Sequence, residues 1–330
     1  MLWFFAAVSG YLATAVSSIT DKFLVSDRIE KPAAYVFLLC LFSLFTFVFA
    51  PFGLRIPPSE ILALLFISGI SFSWSLLFLY EAFRRGEVSN VLPLVGIFSA
   101  MISLLPSFRS EVFSFRENAP GLVAFLFLLF GAIALSRTEI RSRKQSLEVW
   151  FFSFLSGTFL AIFYALLKMS GLFGTNFISG LVWSRFGAFL GGLTLLLVPS
   201  FFRDIREFFL KWFTSLSSKK NHSLPENDTH KKAVPFSTGI IFVFGKTIAG
   251  VGALLIILAT YQKGASVALV QALVGVQFAF VFLFALLLSK RFPHIYGERL
   301  SGIGWIVKVT GFIFISLGAW FATRGGVSLF

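Results

Sequence analysis

Residues 60–82 read EILALLFISGISFSWSLLFLYEA, with no charge between Glu60 and Glu81. A helix rises about 1.5 Å per residue, so this run is long enough to cross the ~30 Å hydrocarbon core of a bilayer. It is apolar throughout, whereas a barrel strand would alternate over about ten residues. Working outward, comparable runs fall near 2–20, 33–52, 88–106, 119–136, 149–170, 176–199, 236–260, 265–289 and 301–322. Ten transmembrane helices in an all-α integral membrane protein are therefore expected. Composition agrees: 57% of the 330 residues are hydrophobic and 13% charged, against roughly 25% charged in soluble domains.

Several function classes are excluded by what is missing. Cys40 is the single cysteine, so no intrachain disulfide or cysteine metal cluster can form. His222, His230 and His294 all fall in polar connections, which argues against haem ligation or histidine-based acyl transfer at membrane depth. No phosphate-binding Gly-x-x-x-x-Gly-Lys-Ser/Thr loop occurs. Neither an enzyme nor a resident cofactor or metal is expected. The formal charge of +13 is spread over short connections, as in loops facing anionic head groups, and nucleic acid is not expected as a partner. The start, Met1-Leu2-Trp3-Phe4-Phe5, lacks the positive region of a cleavable signal.

The connection at 200–234 is the longest. Phe201, Phe202, Ile205, Phe208, Phe209, Trp212 and Phe213 form one helical stripe with charges opposite, predicting an interfacial amphipathic helix near 201–214. Residues 215–232 are polar and aperiodic and read as a tether. Asn221-His222-Ser223 and Asn227-Asp228-Thr229 match glycosylation triplets. The chain divides into residues 1–137, a polar linker at 138–148, and residues 149–330.

The two parts resemble each other. Ser9-Gly10 matches Ser156-Gly157 at an offset of 147, and Lys22 and Lys168 follow at similar distances. Leu94-Val95-Gly96 matches Leu273-Val274-Gly275 at 179, and Gly131-Ala132 matches Gly318-Ala319 at 187. The long connection accounts for the jump in offset. Five is an odd number of crossings, so two copies would insert as inverted repeats. That architecture favours alternating access around a midplane site.

The junctions Tyr80-Glu81-Ala82-Phe83-Arg84-Arg85-Gly86-Glu87-Val88-Ser89 and Ala259-Thr260-Tyr261-Gln262-Lys263-Gly264-Ala265-Ser266, with Trp183-Ser184-Arg185-Phe186, resemble the drug/metabolite transporter superfamily in its ten-helix EamA-type branch. The resemblance covers nearly the whole chain. It implies a secondary carrier, an eighth helix bordering the central cavity and cytoplasmic termini. The chain lacks the arginine that the family often places in its second helix.

Of the 28 lysines and arginines, three are expected within spans: Arg185, Lys246 and Lys308. Each costs about 2.5–3.5 kcal/mol at a helix centre, so they should avoid lipid. Lys246, beside Gly245, Gly250 and Gly252, is the leading substrate contact, the other reading being a lysine bonded to helix carbonyls. Arg185, Lys308 and Glu81 are structural or gating candidates. Asn90, Gln271, Gln277, Tyr164 and Trp74 are polar or amphipathic candidates for lining the path. Gln271 and Gln277 are too far apart in helical phase to share a face. No carboxylate lies at depth, which favours an anionic or zwitterionic solute over a cationic drug.

A carrier of a small polar solute such as an amino acid or other metabolite is thus expected, in the cell membrane, with a homodimer as an open possibility. The alternatives are a lipid or lipid-linked-sugar flippase and a non-transporting membrane partner. The connections after odd-numbered spans hold 19 lysines and arginines, against 6 after the even ones and at the C-terminus when Lys168, at the end of the 149–170 run, is counted with them. This bias places both termini outside, opposite to the family resemblance.

Overall fold

The computed structural model describes residues 2–25, 32–85, 88–109, 115–136, 147–218, 236–262, 264–289 and 302–324. Most of these residues are helical, with no strand among them. In chain order the helices are α1 (Leu2–Val25), α2 (Pro32–Phe42), α3 (Ser59–Arg85), α4 (Val88–Arg109), α5 (Phe115–Ser136), α6 (Leu147–Leu172) and α7 (Phe177–Leu195). Then come α8 (Pro199–Ser218), α9 (Phe236–Tyr261), α10 (Val267–Ala272), α11 (Val274–Ser289) and α12 (Gly302–Arg324). Six segments are long and apolar enough to cross a membrane: Pro32–Phe52, Ser59–Arg85, Leu147–Leu172, Phe177–Leu195, Val267–Phe284 and Gly304–Ala322. Leu2–Ser18, Val91–Leu105, Ala119–Leu135 and Thr247–Tyr261 are shorter apolar stretches. The glycosylation triplets, residues 219–232 of the tether and the 138–146 part of the linker lie outside the described residues, while residues 215–218, expected in the tether, continue α8.

The second span is not a uniform α-helix. After Phe42 it tightens into a 3-10 segment, Ser43–Phe52. Ser43 Oγ donates to the Cys40 and Arg185 carbonyls, at 2.5 and 2.8 Å, and Thr46 Oγ1 donates to the Ser43 carbonyl at 2.7 Å. Hydroxyls that bond back three residues compete with the α-helical ladder and favour a tighter turn. The narrower helix rises about 2 Å per residue, so the composite reaches roughly 36 Å and still exceeds the bilayer core. It ends at Gly53, whose φ of +113° belongs to the left-handed region.

The most extensive helix pairs each join one element of residues 1–137 to one of residues 149–330: α1 with α9, α3 with α6, and α5 with α12. Small residues make each approach possible. In α1–α9, a Cβ on Gly10 would lie 2.9 Å from the Gly252 carbonyl, and one on Gly252 would lie 2.8 Å from the Gly10 carbonyl. In α5–α12, a Cβ on Gly131 would meet Ile315 at 2.6 Å and the Gly311 carbonyl at 2.9 Å. One on Gly318 would meet Leu128 at 2.8 Å and the Ala124 carbonyl at 3.0 Å. Contacts that climb one helix descend the other, so both pairs are antiparallel.

In α3–α6, Ser75 Oγ and Ser156 Oγ each donate to the other's carbonyl at 2.9 Å, and Ser68 Oγ donates to the Phe163 carbonyl at 2.9 Å. Ser75→Ala and Ser156→Ala should each destabilise the protein by about 1 kcal/mol. Because the serines share one reciprocal contact, the double variant should lose less than the sum of the two. Thermal unfolding in detergent measures this, and strict additivity would contradict a coupled pair.

Helix α8 forms where the amphipathic stripe predicts it. Ile205 is buried, and Phe201, Phe208 and Phe209 pack with it against Val36, Leu77 and Leu195. The Phe37 and Phe209 ring centroids are 6.0 Å apart. The apolar face is therefore largely covered by neighbouring helices. Phe202, expected on the same stripe, is instead exposed on the flank. Trp212 and Phe213 belong to α8, but their side chains lie outside the described residues.

Candidate functional site

A polar cluster forms where α1, α3, α4, α6, α7 and α10 meet, and the close packing of α3 on α7 sets it up. A Cβ on Gly69 would fall onto the Ser184 carbonyl and the Ala188 amide, and one on Gly187 would stand 2.7 Å from the Phe66 carbonyl. Ser73 Oγ donates across the seam to the Ala188 carbonyl at 2.7 Å. With the backbones this close, Phe72 of α3 reaches Arg185, near the middle of α7.

The Arg185 Cζ lies 4.5 Å from the Phe72 ring centroid and 5.9 Å from that of Phe163 on α6. The two rings are themselves 5.0 Å apart. Aromatic faces attract a cation by about 0.5–2 kcal/mol, which offsets part of the cost of holding Arg185 away from water. Among the described residues, no carboxylate pairs with its guanidinium and no oxygen accepts a hydrogen bond from it.

Three further groups complete the cluster. Tyr164, buried, stacks edgewise on Phe163 and lies within electrostatic reach of Arg185. Tyr11 of α1, also buried, donates its hydroxyl proton to the Val270 carbonyl at 2.9 Å. Gln271 is 4% exposed; its Oε1 accepts from Ser99 Oγ at 3.1 Å. The Gln271 side chain sits beside the Tyr164 hydroxyl, and among the described residues its buried Nε2 makes no hydrogen bond of good geometry. An amide donor left in that condition costs about 1–3 kcal/mol.

The ninth span is interrupted at this point. Helix α10 stops at Ala272 and α11 begins at Val274, with Leu273 between them. The interruption places Gln271 and Gln277 in separate helical segments. Gln271 meets α4 through Ser99, while Gln277 Nε2 donates to Ser18 Oγ of α1 at 3.1 Å. The expected difference in their faces is realised.

The other candidates are dispersed. Trp74 Nε1 donates to Thr194 Oγ1 at 3.2 Å and packs near α2 and α8, in a separate apolar cluster from Tyr164. Glu81 pairs with Arg85, whose Nε donates to Glu148 Oε2 at 3.0 Å, tying the end of α3 to the start of α6. Lys308 is buried in α12, its Nζ 4.3 Å from the Phe282 ring centroid. Asn90 and Lys246 stand on α4 and α9, but their side chains lie outside the described residues.

Sequence reasoning did not single out Tyr11, Ser99, Phe72 or Phe163. Tyr11 had a signal, since it directly follows the repeated Ser9-Gly10. It also missed Lys168 as a cation at depth. Lys168 lies inside α6, is 5% exposed, and donates from Nζ to the Gln262 carbonyl at 2.7 Å. Alongside it, Ser170 Oγ and the Tyr261 hydroxyl are 2.9 Å apart, and the Tyr261 ring fills the space over Gly171 and Gly180. Together they fasten the C-terminal ends of α6 and α9. The chain then turns through Gly264, φ +78°, into α10, where the Ser266 hydroxyl caps the Leu269 amide at 3.4 Å.

No protein-family model and no curated protein matches this chain. A solved structure described only as "Crystal structure of protein" is similar over 96% of this chain and 96% of its own, with 14% sequence identity and a TM-score of 0.56. At that identity the likeness is one of fold. The two chains share a fold across nearly their full lengths.

Proposed function

We propose that this protein is a secondary carrier for a small polar organic solute, working by alternating access around the Arg185–Tyr164–Gln271 cluster. The observation that carries the reading is the reciprocal seam between α5 and α12. Adding the repeat offset of 187 to Gly131, Ala124 and Leu128 gives Gly318, Gly311 and Ile315, so each contact across the seam has its exchanged counterpart. Two antiparallel helices that exchange in this way are related by a two-fold axis perpendicular to both. If they cross the membrane, that axis lies in its plane, as an inverted duplication requires. The α1–α9 and α3–α6 pairs likewise exchange under the duplication.

On this reading the six long spans and four shorter apolar stretches are ten crossings, and the chain is a cell-membrane carrier of the EamA type within the drug/metabolite transporters. The moving bodies are the interleaved pairs α1–α9 and α3–α6, since each half of the sequence packs chiefly on the other half. The solute site lies between them, where a guanidinium and an amide without partners among the described residues offer binding capacity. The fastening of Lys168 and Tyr261 then closes one side of the site.

The test is uptake of pooled labelled metabolites into sealed vesicles containing the purified protein. At least one pool should enter saturably and exchange against internal unlabelled solute. Uptake no different from protein-free vesicles for every pool would overturn the carrier reading.

A further inference from the structure

We infer that the site beside Arg185 binds its solute through a carboxylate group, which takes hydrogen bonds from the Arg185 guanidinium and Gln271 Nε2. The inference rests on the carrier reading for its site and names the chemistry that the site selects.

The two unpaired nitrogen groups of the cluster are donors, and the Tyr164 hydroxyl can donate as well as accept. The aromatic contacts of Arg185 engage the flat face of the guanidinium, and its N–H edge finds no acceptor among the described residues. Gln271 has its Oε1 already engaged by Ser99, so its unpaired Nε2 has only donation to offer. Tyr164 adds a hydroxyl beside both. A carboxylate is planar and presents two acceptor oxygens, which a guanidinium fork matches. It also carries one negative charge, which the Arg185 guanidinium neutralises. A phosphate monoester would bring a second charge into a poorly solvated place with no second cation paired to it among the described residues. A neutral amide would present N–H groups to donors, leaving polar groups unpaired.

The experiment reads thermal unfolding of the detergent-purified full chain with matched probes: butyrate against butyramide, benzoate against benzamide, phenylacetate against phenylacetamide, with glycerol 3-phosphate alongside. At least one carboxylate should raise Tm while its amide partner does not. Arg185→Gln should abolish that shift, and Arg185→Lys, which keeps charge but not the fork, should weaken apparent affinity about tenfold. Should Arg185→Gln fail to fold, Gln271→Leu serves instead: it removes a buried unpaired donor, so the ligand-free protein should stay folded while carboxylate affinity falls.

Protection by the amides or by glycerol 3-phosphate equal to that by carboxylates would overturn the inference. So would the absence of any carboxylate effect, or a shift that survives in both variants. Exchanging phosphatidylcholine for phosphatidylserine in the micelles separates the sources. An Arg185-dependent shift with the serine lipid alone would assign the carboxylate to a lipid headgroup rather than a free solute. Carboxylate binding without vesicle uptake would sink the carrier reading and leave the site standing. Uptake of a neutral solute with no carboxylate effect would do the reverse.

Discussion

Gly69→Ala should destabilise the protein by about 3 kcal/mol, enough to remove much of the margin of a typical fold. The added methyl would coincide with the Ser184 carbonyl and the Ala188 amide. These are backbone atoms held in the α7 helix, so no rotamer change can clear them, and α3 must move away from α7. Movement would break the Ser73 bond to the Ala188 carbonyl and pull Phe72 from Arg185. Gly250→Ala on α9 is the control. Its Cβ meets nothing within 4 Å, so the change should be neutral or stabilising by up to about 1 kcal/mol, as a helical glycine gives way to alanine. Thermal unfolding and gel-filtration profiles in detergent compare the two. Equal stability of both variants would show that α3 and α7 are not packed backbone to backbone.

The second large effect concerns motion. If α6 and α9 belong to bodies that separate during transport, joining their C-terminal ends should stop the cycle. Ser170→Cys with Tyr261→Cys, in a Cys40→Ala background, leaves two thiols facing each other across the space that the Tyr261 ring now fills, beside the point where Ser170 Oγ and the Tyr261 hydroxyl meet at 2.9 Å. A short bis-methanethiosulfonate reagent bridges them. Uptake should fall to the level of protein-free vesicles, and reducing the bridge should restore it, because gating motions of this kind set carrier turnover. Full transport in the bridged protein would mean that this end stays closed throughout the cycle, and the fastening at Lys168 and Tyr261 would then be purely structural.

Much of the helical layout was legible in the residues. The run at 60–82 became Ser59–Arg85, and the stripe beginning at Phe201 became α8. Such elements are readable because continuous apolarity and a 3.6-residue period are properties of one segment alone. The uniform helix expected over 33–52 was not found, because Ser43 makes a bond to the Arg185 carbonyl far away in the chain. The site was legible only in fragments. Arg185, Tyr164 and Gln271 could each be named as polar groups in apolar surroundings, but nothing in their spacing ranked Arg185 above Lys308 or joined Gln271 to Tyr164. Glu81 and Trp74 looked equally eligible until their partners, Arg85 and Thr194, were seen.

From the chain alone, then, came the helical, membrane-like class. Lipid length, hydropathy and recurring glycine motifs are local or additive quantities that survive without coordinates. The tertiary structure alone decided which helices touch and which polar groups are left without partners. Those outcomes depend on backbone approach at Gly69, Gly187 and Gly131, where the absence of a side chain matters only through what lies opposite.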